Sequence, residues 1–348
     1  MARLTVRWSR FLSLLSALLG VLGFCAIPFI VGLQDLGRTL SQVGWLALGV
    51  SVLNAAGTLV MPALGWWVLM RLEGIPAAVH TAVQASFMGF PLDFIVPSAY
   101  LGGEPLKTVY VARTCQVPAQ RVLATIILAK FQELGALVLG MIVTTGLFLW
   151  HSRSTRPQHI LLLTLAMAVL VVLLGMLLYA FGGRLQPLLR LLRLLARLHR
   201  MQRHAAWLHT LIAEMEHLVY TTLREHWGMV LLAQAITALS TVSLWLRPWI
   251  FCWYLPGQAV DIFDLCALFV LTNLVNLLTV VPGGLGWFEA TMAGYTSAVG
   301  LGDERGAAFA LVTRLADVIF LTLGSWLIAH HGLRSIVRSK RSAPEAEP

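Results

Sequence analysis

Long apolar runs, each closed by polar or basic residues, dominate the chain and predict membrane-crossing helices. Six of them, 11–33, 44–69, 122–150, 160–181, 228–254 and 307–330, have the ~20 residues needed to cover about 30 Å of hydrocarbon. Two further stretches, 79–113 and 262–299, are apolar but broken. Each has an apolar arm, a Pro/Gly break and a short amphipathic arm, with neither arm long enough to cross once its polar content is counted. Irregular backbone at membrane depth persists only where protein or a wet cavity satisfies its amides and carbonyls. Both stretches are therefore expected as re-entrant hairpins. The predicted fold is an all-α polytopic membrane protein: about six full spans plus two re-entrant broken-helix hairpins, eight apolar helical elements in all.

The two breaks resemble each other. The first reads Pro97-Ser98-Ala99-Tyr100-Leu101-Gly102-Gly103-Glu104-Pro105-Leu106-Lys107, the second Pro282-Gly283-Gly284-Leu285-Gly286-Trp287-Phe288-Glu289. In both, Glu stands seven residues after Pro. A cation follows on the next long apolar helix, 26 residues after Glu104 at Lys130 and 25 after Glu289 at Arg314, each with an acid three residues on, Glu133 and Asp317. A charge at the centre of a membrane helix costs about 2.5–3.5 kcal/mol on insertion scales, so a duplicated set marks a working site. Three spans separate the hairpins, so the first enters from one face and the second from the other. That makes 44–150 and 228–331 inverted repeats, a recurring transporter layout with substrate held at broken helices near the midplane.

Composition agrees with a single integral membrane domain over 1–348. The 348 residues are 58% hydrophobic and 12% charged, and a soluble core has no place for apolar runs of this length. The formal net charge of +9 is a topology signal, because the basic residues flank the spans; no soluble basic domain for nucleic acid is present. The basic N-terminus, Arg71, the segment 184–225 and the tail 332–348 share one side, which is expected to be the cytoplasm of a cell with the protein in its inner membrane, both termini inside. Arg153 and Arg156 fall on the other side, against this bias, while Trp45, Trp150, Trp249 and Trp253 mark the outer interface. The first run is read as an uncleaved span, since it is long for a signal peptide and Phe24 spoils a lipoprotein box. Within 184–225, arginines including Arg190, Arg193 and Arg197 recur at spacings of three and four opposite leucines. Such a helix lies in the interface and favours anionic lipid, an ordinary positive-inside anchor rather than a dedicated gate.

The candidate chemistry is binding rather than catalysis. Gly102 and Gly103 permit a sharp turn, Pro105 is tolerated in a first helical turn, and Glu104 and Lys107 share a face at i, i+3. Gly283, Gly284 and Gly286 precede a second short helix. Free amides at such helix starts suit a phosphate group. The bland alternative is that the glycines only allow close packing and that Glu104 pairs with Lys130, and Glu289 with Arg314. Asp93 and Asn276 lie on the arms entering the breaks, where Asp93 serves either as a proton carrier or as a helix cap. Arg113, Arg121 and Arg247 read as snorkelling anchors. Cys25, Cys115, Cys252 and Cys266 have no paired spacing and the ten His are dispersed, so neither metal nor disulfide is expected. No nucleotide loop, dinucleotide fingerprint or nucleophile elbow is present, and no cofactor is implied.

Together the Pro-x-x-x-x-Gly-Gly-Glu-Pro-x-Lys stretch, the Pro-Gly-Gly-Leu-Gly-x-x-Glu stretch and the Arg-x-x-Asp helix resemble the lysylphosphatidylglycerol synthase transmembrane-region family, flippase-like membrane proteins, over about 11–331. In multidomain relatives the resemblance implies a flippase moving an aminoacylated phospholipid between leaflets, with a soluble aminoacyl-transfer domain following; this chain runs to Pro348 without one, so aminoacyl transfer is not expected. Stand-alone members are similar to proteins of hopanoid, glycolipid and glycosylation pathways, so the resemblance does not name the lipid. It implies Arg where this chain has Lys130. The expectation is a non-enzymatic protein that translocates a phosphate-bearing lipid, with Lys107, Lys130 and Arg314 attracting the phosphate and Glu104, Glu133, Glu289 and Asp317 holding those cations. A small-solute or ion transporter, and a non-catalytic component of a lipid pathway, are the alternatives.

Overall fold

The computed structural model describes residues 33–96, 102–151, 221–222, 224–253, 266, 268–273, 282–298 and 300–341. All regular structure among them is helical: α1 Leu33–Leu72, α2 Val79–Ile95, α3 Glu104–Cys115, α4 Ala119–His151, α5 Trp227–Trp253, a 3-10 turn at Pro282–Gly284, α6 Trp287–Ala298 and α7 Asp303–Arg341. Residues 266 and 268–273 are helical as well. Gly44 interrupts α1 with φ 71° and ψ 162°, a conformation glycine reaches without a Cβ penalty.

Four segments among the described residues are long and apolar enough to cross a membrane: Gly44–Leu72, Ala119–Leu147, Trp227–Phe251 and Asp303–His331. They coincide with four of the six expected spans. The other two, 11–33 and 160–181, and the basic segment 184–225 lie wholly or mainly outside the described residues. The helix α7 continues into the expected tail as far as Arg341.

Small residues set the packing, because apolar side chains gain nothing by leaving lipid for one another and close backbone approach must supply the contact. Gly57 and Gly65 of α1 abut Ser243 and Thr237 of α5, and Gly140 of α4 abuts Thr241. The α1–α5 register is antiparallel. Gln132 donates to the Val230 carbonyl (3.0 Å), which together with the Gly140–Thr241 contact makes α4 and α5 parallel. Along α1 and α7, Ala47 shares a core cluster with Phe309, and Ala55 one with Ala316 and Phe320, so these two run the same way. One end of the bundle therefore carries Trp45, Trp150, Trp249 and Trp253, all exposed, as aromatic residues at a membrane interface are.

The first broken stretch is a hairpin. It leaves the other end of the bundle just after Leu72, through a turn in which Gly74 has φ 69°. The arm α2 then rises into the bundle and α3 folds back along it, with Gly103 against the Gly89 backbone and Tyr110 donating to Gln84 Oε1 (2.8 Å). Its end returns to the C-terminal part of α7, where the Tyr110 and His331 rings meet at 5.1 Å. At 1.5 Å per residue, the 17 residues of α2 and the 12 of α3 reach about 25 and 18 Å, short of about 30 Å of hydrocarbon. The arm α6 is also 12 residues. It turns into α7 at the tryptophan end, with Gly306 against the Met292 carbonyl.

Candidate functional site

The break in the first hairpin is built around Asp93. Its Oδ1 accepts from the Gly103 amide (2.7 Å), closing the start of α3, and its Oδ2 accepts from Lys107 Nζ (3.4 Å). Lys107 also donates to Glu104 Oε1 (3.0 Å), one turn back on α3 as the i, i+3 spacing predicts. Lys130, on α4, closes the group with Glu104 Oε1 at 3.1 Å and Glu133 Oε2 at 2.8 Å. Glu104 and Lys107 are buried. Asp93 thus acts as the helix cap, one of the two roles its position allows, and carries an ion pair besides. Three carboxylates surround two ammonium groups.

The second break repeats the theme with a different hand of partners. Gly283, Gly284 and Gly286 all have positive φ, between 59° and 80°, which is why three glycines stand in five residues. Glu289 reaches back to accept from the Gly286 amide (2.7 Å), half of a capping box with Gly286 in the N-cap position of α6. Its other oxygen accepts from Arg314 Nε of α7. Arg314 Nη1 donates to the Gly283 carbonyl (2.8 Å) and to Asp317 Oδ2 (3.1 Å). Glu289 is almost fully enclosed, 1% exposed, and Arg314 is 9% exposed. Arg314 Nη2 is buried with no hydrogen-bond partner among the described residues.

Phe94 joins the two breaks. It follows Asp93 directly, and its ring lies where a Cβ on Gly283 would stand. The guanidinium of Arg314 is 5.9 Å from the Phe94 centroid and 5.1 Å from that of Phe288, within the range of a cation–π contact. The two breaks therefore meet beside Arg314. The two ionic groups do not share an ion pair among those formed by the described residues; the aromatic ring is the link.

Of the residues singled out in the sequence, Asp93, Gly103, Glu104, Lys107, Lys130 and Glu133 come together in the first group. Gly283, Gly286, Glu289, Arg314 and Asp317 come together in the second. Gly102 packs against the Leu92 carbonyl, and Gly284 is buried within the 3-10 turn; both shape the backbone without presenting a ligand group. Asn276 and the residues 97–101 lie outside the described residues. Pairing of Glu104 with Lys130 and of Glu289 with Arg314, the bland reading, is present in full. Arg247 differs from its reading as a snorkelling anchor: it is half-buried and its Nη2 reaches Thr58 Oγ1 on α1 (3.5 Å). Sequence reasoning missed Phe94 and Phe288, although an aromatic neighbour of the acid occurs in both breaks (Asp93-Phe94, Phe288-Glu289) and was a usable signal. Among the described residues no group of three or more His, Cys, Asp or Glu gathers to hold a metal.

The arrangement holds its cations with carboxylates and, at Arg314, the Gly283 carbonyl. Chemically it can take up an anion by exchange against those carboxylates. The family profile described as "Lysylphosphatidylglycerol synthase TM region" matches residues 13–325. A relative from Methanothermobacter thermautotrophicus (strain Delta H), named "UPF0104 membrane protein", is 22% identical over 330 residues, covering 91% of this chain and 93% of its own length. No solved structure matches the chain.

Proposed function

The chain belongs to the lysylphosphatidylglycerol synthase TM region family, and we propose that it carries a phosphate-bearing, polar-headed lipid between the leaflets of the inner membrane, its termini in the cytoplasm. One observation carries this reading. Arg314 is fixed at the meeting of the hairpin tips by Glu289, Asp317 and the Gly283 carbonyl, yet Nη2 remains a buried donor with no partner among the described residues. A guanidinium forms strong bidentate bonds with phosphate, and a buried donor left unmade costs about 1–3 kcal/mol. An entering phosphate oxygen relieves that cost.

The remaining groups play supporting parts. Ion pairs between Glu104 and Lys130 and between Glu289 and Arg314 keep the empty site neutral enough to stay at membrane depth. A phosphate then competes for the cations with carboxylates already in place, so binding and release stay near balance. We read 44–150 and 228–331 as inverted repeats. In support, the second arms run from adjoining tips toward opposite ends, α3 toward the C-terminal part of α7 and α6 toward its N-terminal part. The role requires no chemical step, so the protein acts as a carrier rather than an enzyme.

The test is leaflet exchange in proteoliposomes of phosphatidylcholine and phosphatidylglycerol containing a trace of head-group-accessible fluorescent phosphatidylglycerol, read by a membrane-impermeant quencher. Arg314→Ala and Glu289→Gln are each expected to slow exchange at least tenfold while the protein remains monodisperse. Exchange at the unsubstituted rate in both variants removes the assignment.

A further inference from the structure

A guanidinium offers two edges to a two-oxygen ligand, Nη2 with Nε or Nη2 with Nη1. In Arg314 the shared corner is the open one. Its Nη2 is buried with no hydrogen-bond partner among the described residues, and the residue is 9% exposed. A phosphate that grips Nη2 in a fork must therefore take a second nitrogen from one of two carboxylates. On the Nε side stands Glu289, 1% exposed and also bonded to the Gly286 amide. On the Nη1 side stands Asp317, whose contact of 3.1 Å with that nitrogen is its carboxylate's only hydrogen bond among the described residues. Its side chain is 18% exposed. Asp317 is the partner that can be displaced.

Displacement leaves a carboxylate without its counter-charge. The charged groups that face Asp317 are Arg314 one turn back on α7, Glu289 of α6 and, without an ion pair, Arg247 of α5. From α1 and α2, this stretch of α7 meets the apolar residues Ala55, Phe87 and Phe90. With a ligand in place, three anions share the Arg314 guanidinium: Glu289, Asp317 and the phosphate. A carboxylate in such surroundings neutralises itself rather than stay charged and unpaired. Glu289 keeps its charge, because the Gly286 amide and Nε hold it. The first group supplies no acid of this kind. Whatever binds at Arg314, Asp93 retains the Gly103 amide, Glu104 its two lysines and Glu133 its contact with Lys130.

We infer that Asp317 is a proton-binding site coupled to the lipid: it takes up one proton when a phosphate diester occupies Arg314 and returns it when the diester leaves. This rests on the lipid-carrier reading. The step balances. The bond from Nη1 to Asp317 gives way to one from Nη1 to the phosphate, and hydronium on the entry side passes its proton to Oδ2, forming an O–H. On release that O–H breaks to water on the exit side, and Arg314 recaptures the carboxylate. While neutral, the acid is a donor and can bond an oxygen of the phosphate that displaced it. A diester carries one negative charge, so lipid and proton enter as a neutral pair. The bundle then holds the same charge loaded and empty, which spares it a further ion at membrane depth. Transport follows a difference in pH and is indifferent to the membrane potential, and the lipid gathers in the leaflet facing the more alkaline side.

The experiment uses the full chain in the same proteoliposomes, with protein-free vesicles as the baseline and a gradient of about one pH unit across the membrane. With the unsubstituted protein, fluorescent phosphatidylglycerol is expected to gather at least threefold in the leaflet facing the alkaline side, about tenfold being the limit for one-to-one coupling. Reversing the gradient should reverse the bias. A potential set by potassium and valinomycin at equal pH should leave the probe even, and a bias driven by potential overturns the coupling. Asp317→Asn, whose amide stands permanently for the neutral acid, is expected to exchange more slowly and to show no enrichment in either gradient. Enrichment that persists in Asp317→Asn overturns the assignment. Should that variant fail to fold or to exchange, Asp93→Asn and Glu133→Gln decide. Enrichment lost in either while exchange continues moves the proton to the first group and overturns the assignment; enrichment kept in both supports it. Exchange without enrichment in the unsubstituted protein refutes the coupling alone, whereas no exchange at all refutes the carrier reading itself.

Discussion

Glu104 and Glu289 occupy the same place in the two breaks, but the partners each would leave behind differ. Glu289 serves both the Gly286 amide and Arg314. Its removal takes the acceptor from the first turn of α6 and leaves an arginine at 9% exposure with a single carboxylate. Breaking one side of a buried pair costs about 3–5 kcal/mol. Glu104 serves Lys107 and Lys130, and each of those has a second acid, Asp93 and Glu133. Either substitution leaves each cation one acid, but Glu104 serves no backbone amide among the described residues, so Glu104→Ala is expected to cost less than Glu289→Ala. Thermal unfolding in detergent micelles compares the two; equal shifts would show that the first group is not redundant as its distances imply. The same redundancy explains how Lys130 serves here as a point charge, since it meets two carboxylates separately and needs no planar fork.

Hydropathy made the helices readable and their meeting points unreadable. The four spans lie within four residues of the limits read from the sequence, because the dehydrated length of a helix is a property of its own composition. The hairpin breaks were equally legible, since Pro and clustered Gly end a helix wherever they stand. The duplicated Glu, cation and acid sets were visible for a similar reason: charge in an apolar run is rare and its spacing is countable. What could not be read is how the elements cross. Phe94 lies over Gly283 and Arg314 only because one break reaches the other, and no local period encodes that contact. Arg247 sits between tryptophans and looks interfacial until α1 and α7 are placed beside it. The tip contact gives a prediction at this scale. Gly283 has φ 59°, where a side chain costs about 1–2 kcal/mol, and a Cβ there overlaps the Phe94 ring. Gly283→Ala is expected to fold but to lose more than half of its leaflet exchange, because the ring is driven off the guanidinium. Adding Phe94→Ala removes the overlap, so the double variant should recover part of the thermal stability lost in Gly283→Ala; strictly additive losses would show that the two tips are not in contact.

Whole-molecule architecture turns on where the two short arms come out. The arm α3 returns to the bundle end shared by Leu72 and the C-terminal part of α7, while α6 enters α7 at the end marked by Trp45, Trp150 and Trp253. The carrier proposed above needs its binding groups reachable from each leaflet in turn, and the proposed inverted arrangement would give each leaflet one arm. Two exposed positions report this directly. Gln120 follows α3 in the first turn of α4, and Ser297 stands in the last turn of α6. In a chain with Cys25, Cys115, Cys252 and Cys266 replaced by serine or alanine, Ser297→Cys is expected to react with a membrane-impermeant maleimide in intact cells. Gln120→Cys should react only after the membrane is opened. The expected direction follows from the general bias of basic segments toward the cytoplasm, and the opposition of the two sites follows from the packing of α1, α5 and α7. Labelling of both positions from one side would place both arms on the same face, and the inverted arrangement would fail even with every helix correctly assigned. Labelling on opposite sides but with the faces exchanged would leave the inversion standing and reverse only the orientation.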